Sequence, residues 1–330
     1  MTFLYIIIGL VLIFDFINGF HDSANSIACI VSTKVLSPLA AVSMAAFFNF
    51  IAFLVFGLHV AHTMGHGVVK ADAINLNVVG GALVAAITWN ILTWWWGLPS
   101  SSSHTLVGGL IGAAAASSGF GSIISSGVWK IVSFIFIAPF AGMLFSFTIS
   151  SLILWIFKKT PPFTVDKLFR RFQLVSASAF SLGHGANDAQ KSMGIIWAAL
   201  LAQGLIAKDA DIPLWVVLSC QAAIALGTLF GGWRIVKTMG QRITKLKPFE
   251  GFCSETAGAL TIFIATTWGI PVSTTHTITG AIMGVGARKG VSAVKWGVTA
   301  KIFWAWILTI PVSGLIGGAV FLLFNLINKM

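Results

Sequence analysis

Long apolar runs separated by short polar stretches dominate the sequence. A helix of roughly 20 apolar residues crosses the hydrocarbon core of a bilayer. The apolar positions are continuous and do not alternate, which argues against a transmembrane β-barrel. The pattern therefore predicts an all-α polytopic membrane protein with about ten hydrophobic segments, at 3–33, 38–58, 76–96, 103–120, 128–157, 172–204, 212–232, 254–269, 274–290 and 296–324.

A charged segment with two prolines, KKTPPFTVDKLFRR at 158–171, divides the chain nearly in half. It predicts a cytoplasmic linker between a first transmembrane repeat, 1–157, and a second repeat, 172–330. Matched motifs support this duplication. GFHDSANS at 19–26 aligns with GANDAQKS at 185–192, and WWWGLPSSSSHTLVGGLIG at 94–112 aligns with TTWGIPVSTTHTITGAIMG at 266–284.

Five segments per half is an odd number, so the second repeat is expected to be inverted in the membrane. The lysines and arginines test this expectation, because most of them fall in alternate loops, at Lys34, 158–171, 234–247 and 288–295. The positive-inside rule places these loops in the cytoplasm and both termini outside. Inverted repeats with broken or re-entrant helices are typical of secondary transporters.

Composition agrees with a membrane protein, since 57% of the residues are hydrophobic and 9% are charged. The net charge of +11 is explained by the basic loops, so we expect the lipid bilayer and no nucleic acid as a partner. The first segment lacks a basic leader and a cleavage site, which predicts a retained helix. The three cysteines have no CxxC spacing, and no metal site is assigned to them.

Two matched polar runs, PSSSSH at 99–104 and PVSTTH at 271–276, predict helices that begin within the membrane. Proline ends the preceding helix, and serine or threonine caps the next one. The free N–H groups and positive dipole end of a helix start favour an anion. Ordinary capping at a loop end is the alternative for either run alone. Together they predict an anion site formed by Ser101, Ser102, Ser103, His104, Thr105, Ser273, Thr274, Thr275, His276 and Thr277, with Lys191 as a further candidate.

Two acidic clusters interrupt apolar segments at Asp22 and Asp188. Intramembrane carboxylates are typical of ion or proton handling, and the oxygens beside them suit a hard cation. Lys191 stands where the first copy has Asn25. It has three alternative roles: a fixed cation, a partner that neutralises Asp188, or an anion ligand. The clusters predict a cation-coupling site formed by His21, Asp22, Asn25, Ser26, Asn187, Asp188 and Gln190.

Four further polar residues are secondary candidates. Asp15 lies seven residues before Asp22 and so on the same helical face. Asn49 and Gln221 occupy matched positions within segments, where an interhelical hydrogen bond is the alternative role. Glu255 opens a segment after a basic loop, and a helix-dipole partner is the alternative there.

The motifs NGFHDSANS and GHGANDAQKS, together with the two P-x-[ST]-[ST]-[ST]-H runs, closely resemble the inorganic phosphate transporter (Pit) family over nearly the whole chain. The resemblance implies secondary transport of phosphate by inverted repeats in a homodimer, without enzymatic activity or a cofactor. It also implies that the helix starts hold phosphate and that Asp22, Asn25, Asn187 and Asp188 couple cations.

The chain departs from the family pattern G-A-N-D-V-A-N at His21, Gln190 and Lys191. These departures favour the bacterial proton-coupled type, in the cell inner membrane, which carries phosphate together with a divalent metal. Sodium-coupled phosphate transport or sulfate transport on the same fold remains an alternative, and an anion channel is an alternative of another class. An intramembrane Ser–His hydrolase is disfavoured, because adjacent helical side chains such as Ser103 and His104 point apart.

Overall fold

The computed structural model describes residues 2–207 and 210–327. These ranges contain no β-strand, and Val69 and Ile123 form an isolated bridge. The α-helices of this part of the chain are numbered α1 to α12 in chain order: Thr2–Ser32, Pro38–Ile51, His59–His66, Leu76–Trp96, Ser102–Ser118, Ser125–Ile156, Pro162–Ala202, Leu214–Phe230, Trp233–Lys237, Pro248–Thr267, Thr274–Lys289 and Trp296–Ile327.

Ten of these helices coincide with the ten predicted hydrophobic segments, and α4 does so to the residue. The short helices α3 and α9 lie between them. Residues 162–171, predicted as part of a linker, are instead the first turns of α7. Pro162 occupies the first helical turn, where proline has no backbone hydrogen bond to lose, so a Pro-rich segment can start a helix as well as separate two.

Four helices, α1, α4, α6 and α12, are long and apolar enough to cross a membrane. A fifth candidate is α8 together with Trp233–Arg242, which is bent by 60° relative to it. By contrast, α5 and α11 contain 17 and 16 residues. At about 1.5 Å per residue they are shorter than a hydrocarbon core of about 30 Å. If the C-terminal ends of α5 and α11 reach the membrane surface, their N-terminal ends therefore lie inside the hydrocarbon core.

The contacts between helices recur with the two halves exchanged. Helix α5 packs against α4 and α12, and α11 packs against α10 and α6. Likewise α1 packs against α8 and α4, and α7 packs against α2 and α10. This pairing is what a duplicated chain predicts, and it surrounds the polar segments of α1 and α7 with the other helices.

Glycines permit the close packing of α5 and α11. A Cβ atom on Gly108 would lie 2.6 Å from the carbonyl oxygen of Ile310 on α12, and one on Gly280 would overlap the carbonyl group of Pro139 on α6. Pro139 and its counterpart Pro311 both lie inside long helices. The two short helices are thus held backbone to backbone against equivalent turns of α12 and α6.

The basic loops contact one another in pairs. Arg170 donates a hydrogen bond to the carbonyl oxygen of Lys34 at 3.1 Å, and Lys289 donates one to that of Lys245 at 2.8 Å. Two of the remaining loops contact each other, because the backbone N–H of Lys70 donates to the carbonyl oxygen of Ser122 at 2.9 Å. These contacts agree with the predicted alternation of the loops.

Candidate ion-binding site

Similar turns lead into the two short helices. Gly97 after α4 and Gly269 after α10 both have φ of +65°, a left-handed conformation that glycine adopts without a steric penalty. Gly97 packs against Arg234 of α9, on the side of the basic loops, whereas Gly269 packs against His59 of α3. The turns that lead into α5 and α11 therefore pack against different helices.

Both short helices are capped as predicted, and their starts face each other. The Ser101 hydroxyl accepts a hydrogen bond from the His104 backbone N–H at 3.3 Å, and Ser273 accepts one from that of His276 at 3.2 Å. The rings of His104 and His276 lie 4.9 Å apart between centroids. Two positive helix ends consequently meet in one buried region.

The two predicted acidic clusters come together beside these helix starts. Asp22 of α1, Asp188 of α7 and His184 of α7 are buried and offer ligand atoms within 4.8 Å of one another. His184 Nε2 lies 3.3 Å from Asp188 Oδ2. On the other carboxylate, His21 Nδ1 lies 2.5 Å from Asp22 Oδ1. The site therefore pairs each carboxylate with an imidazole.

Lys191 is buried between the acidic cluster and both helix starts, with 2% of its surface exposed. Its ammonium donates to Asp188 Oδ1 at 2.6 Å, to the Ser103 hydroxyl and to the carbonyl oxygen of Val272 at 2.9 Å. A buried charge without a counter-charge destabilises a protein by roughly several kcal/mol. The Lys191 ammonium therefore needs the Asp188 carboxylate as its partner. The contacts to Ser103 and Val272 extend this ion pair to α5 and to the turn before α11.

Asn25 makes the corresponding connection from α1. Its side-chain amide donates to the hydroxyls of Thr274 at 3.2 Å and Thr275 at 2.9 Å. The Thr274 hydroxyl in turn donates to Asp188 Oδ2 at 3.3 Å. Helices α1, α7 and α11 are thereby linked around one polar centre.

Several buried oxygens at this centre have no hydrogen-bond partner among the described residues. Because a buried polar atom without a partner is costly, such atoms are candidate ligands for an ion. Asn25 and Asn187 each contribute an amide oxygen of this kind. Hydroxyls in the same state belong to Ser26 and Ser102.

Two predicted cation-coupling residues use their amides in other contacts. Asn187 donates to Thr266 at 2.9 Å and to the carbonyl oxygen of Ile270 at 3.3 Å, and so holds the turn before α11. Gln190 caps α3, because its oxygen accepts from the Val60 backbone N–H at 2.9 Å and its amide donates to the Gly57 carbonyl at 2.8 Å. Thus Gln190 lies outside the ion cluster.

The four secondary candidates differ in what they contact. The amide oxygen of Asn49 accepts a hydrogen bond from His184 Nδ1 at 3.2 Å, so Asn49 reaches the acidic cluster through that ring. Glu255 belongs to another buried cluster, where it accepts from Ser176 at 2.7 Å and from Gln173 at 3.2 Å. Asp15 lies beside Ser192 and Cys220, and Gln221 is buried on α8.

Two residues of the site were not among the predicted ones. His184 is recognisable from its position four residues before Asp188, on the same helical face. Trp306 stacks on His276 at 4.0 Å and donates to the Pro99 carbonyl at 2.9 Å. Trp306 lies in an unbroken apolar run, so only the packing of α12 against α5 reveals its contact.

An all-helical fold with several apolar candidate spans and a buried, charged polar centre defines the class of membrane transport proteins. Residues 18–317 match the phosphate transporter family, and the chain belongs to this family. It is therefore a multi-pass membrane protein and a phosphate transporter rather than an enzyme, as predicted.

Similar proteins cover nearly the whole chain. A protein of Rhizobium meliloti (strain 1021), described as "Probable low-affinity inorganic phosphate transporter", is 56% identical over 97% of this chain and 96% of its own. A protein of Bacillus subtilis (strain 168) with the same description is 42% identical over 99% of this chain and 98% of its own. A solved structure, "The sodium-dependent phosphate transporter", matches with a TM-score of 0.89 and 27% sequence identity. The match covers 99% of this chain and 100% of the solved chain.

Proposed function

We propose that the chain is a secondary active symporter that binds phosphate between the starts of α5 and α11 and couples it to a cation at Asp22 and Asp188. The observation that carries this proposal is the convergence of both helix starts on one acidic cluster, to which Lys191 and Thr274 bind directly. The phosphate ligands in this proposal are the hydroxyls and N–H groups of residues 101–105 and 273–277. The charge of Lys191 attracts the anion from its position against the Ser103 hydroxyl.

The charges give a physical reason for coupling. Helix starts and hydroxyls attract an anion, but the carboxylates of Asp22 and Asp188 repel it. Two unit charges 4 Å apart interact by about 4 kcal/mol at an effective dielectric constant of about 20. A bound cation cancels part of this repulsion, so phosphate binds well only when the cation is present.

The proton is our first candidate for the coupling ion. His21 contacts Asp22, and His184 lies beside Asp188, so each carboxylate has a titratable neighbour. Together with Asp22, the pair His184 and Asp188 also offers three ligand atoms of the kind that binds divalent metals. This set supports phosphate entering as a complex with a divalent metal, which is then cargo.

Sodium is the second candidate. The amide oxygens of Asn25 and Asn187 and the hydroxyl of Ser26 have no partner among the described residues, and oxygen ligands suit a hard cation. The description of the solved relative as sodium-dependent also favours this alternative.

The two halves, in our proposal, are inverted repeats in a bacterial inner membrane, with both termini outside. The clustering of the basic loops supports this orientation, and the separate neighbours of Gly97 and Gly269 support the inversion. The homodimer rests on the family resemblance alone.

Uptake of labelled phosphate into proteoliposomes tests the proposal. An inward proton gradient without sodium is expected to drive accumulation above equilibrium, and a strict requirement for sodium would assign the second candidate. Flux that only follows the membrane potential would indicate a channel. Excess sulfate is expected not to compete, because phosphate retains a proton that it can donate to a carboxylate and sulfate does not.

A further inference from the structure

The ammonium of Lys191 is surrounded by three different kinds of oxygen. Asp188 contributes a carboxylate, Ser103 a hydroxyl and Val272 a backbone carbonyl. A lysine ammonium has three N–H donors, and each is used once. Carboxylate, hydroxyl and carbonyl oxygens are also the ligands that hold a hard metal cation. The nitrogen therefore lies where a free cation would be bound.

The other half of the chain offers a matching set without a fixed charge. The sequence repeat relates Lys191 to Asn25, Asp188 to Asp22, Ser103 to Thr275, and Val272 to Ser100. The same pairing appears in the structure, because Asn25 contacts Thr275 as Lys191 contacts Ser103. The amide oxygen of Asn25 has no hydrogen-bond partner among the described residues. This set therefore has oxygens available for a mobile ion.

A partner that only neutralised Asp188 would need no contact with the anion-binding elements. Lys191 instead joins the carboxylate to Ser103 on α5 and to the turn that precedes α11. Two carboxylates and one ammonium leave the cluster with one unbalanced negative charge when the nearby histidines are neutral. One mobile cation restores the balance.

We propose that Lys191 is a built-in cation that permanently fills one of two related cation sites. A single mobile cation then accompanies each phosphate, bound by Asp22, Asn25 and Thr275. This inference rests on the proposed function. It specifies in addition which half of the site remains available to a mobile ion. Because the tethered ammonium cannot cross the membrane with phosphate, it couples transport to no gradient.

Double-label uptake into proteoliposomes tests this proposal, with ²²Na⁺ and ³²P-phosphate measured at equal pH on both sides. The variant Lys191→Asn, which introduces the residue of the first copy, is expected to take up one more sodium ion per phosphate than the unmodified protein. Lys191→Arg keeps the charge and is expected to take up no additional sodium. Lys301→Asn, an exposed lysine on α12, is the matched control and is expected to behave like the unmodified protein.

An unchanged sodium-to-phosphate ratio in active Lys191→Asn would overturn the proposal, as would two or more sodium ions per phosphate in the unmodified protein. If Lys191→Asn is folded but inactive, its unfolding temperature is measured in sodium and in choline chloride. A sodium-specific increase absent from the unmodified protein supports the proposal, and no increase contradicts it. Absence of phosphate uptake by the unmodified protein would instead refute the proposed function, and the thermal comparison would still test the sodium site.

Discussion

At the scale of single residues, the site depends on buried charged groups that contact one another. Asp188 contacts Lys191, His184 and Thr274, and all four side chains are buried. Each contact stabilises a group that would be costly alone. Removal of one member should therefore affect both stability and transport.

Asp188→Asn tests this dependence directly. The substitution leaves the Lys191 ammonium buried without a counter-charge, so we expect a loss of stability of about 3–5 kcal/mol and no phosphate uptake. Thermal unfolding and vesicle uptake measure the two effects. The double variant Asp188→Asn, Lys191→Asn removes both charges and should recover much of the stability. A double variant as unstable as the single one would contradict the ion-pair account.

Matched motifs made most of the site predictable from the sequence. Asp22 and Asp188 form one matched pair and the two helix starts form another. Such duplication distinguishes candidate binding residues from ordinary caps. The roles of Gln190 and Trp306 were not predictable, because each contacts a segment more than a hundred residues away. Sequence neighbours carry no information about those contacts.

At the scale of the elements, two short helices bring their capped starts into the interior. Their caps are local and predictable, since proline followed by serine ends one helix and begins another. The depth of the starts depends on the lengths of α5 and α11 and on their packing against α12 and α6. Cap and packing can be tested separately.

Ser273→Ala tests the cap of α11. Loss of the contact with the His276 N–H is expected to cost about 0.5–2 kcal/mol, and to raise KM for phosphate because the helix start is loosened. The control is Ser37→Ala, which removes the cap of α2 away from the site. It should lower stability to a similar degree without changing KM. Equal KM values for the two variants would argue against phosphate binding at α11.

Gly280→Val tests the packing of α11 against α6. The new side chain would overlap the Pro139 carbonyl group, and overpacking of this kind costs about 1–3 kcal/mol. We expect a lower unfolding temperature and slower uptake. Gly9→Val on α1 makes the same change in helix propensity but has no atom within 4 Å of the new Cβ. If both variants unfold at the same temperature, the close contact between Gly280 and Pro139 does not affect stability.

At the scale of the whole molecule, the two halves exchange contacts, since each short helix packs against a long helix of the other half. The sequence predicted the helices well, because apolar length and duplication are strong signals. It predicted the start of α7 less well, because the helix begins at Pro162 and the predicted segment at residue 172. The first turns of α7 are charged and follow two prolines, a composition that a linker and an amphipathic helix start share.

The predicted orientation has its own test, because the three native cysteines are buried. Single cysteines at two exposed positions, Lys70→Cys and Lys158→Cys, are treated on intact cells with a membrane-impermeant maleimide. The positive-inside rule leads us to expect labelling of Lys70→Cys alone. Lysed cells supply the control, in which both positions should react. Labelling of Lys158→Cys on intact cells would reverse the orientation.

The central claim is that phosphate binds where the two halves meet. An experimental structure of the protein with phosphate bound tests it most directly. The account predicts density between the starts of α5 and α11, with the hydroxyls of Ser103 and Thr275 within hydrogen-bond distance of phosphate oxygens. Phosphate bound only at the basic loop 234–247, or away from one of the two helix starts, would contradict it.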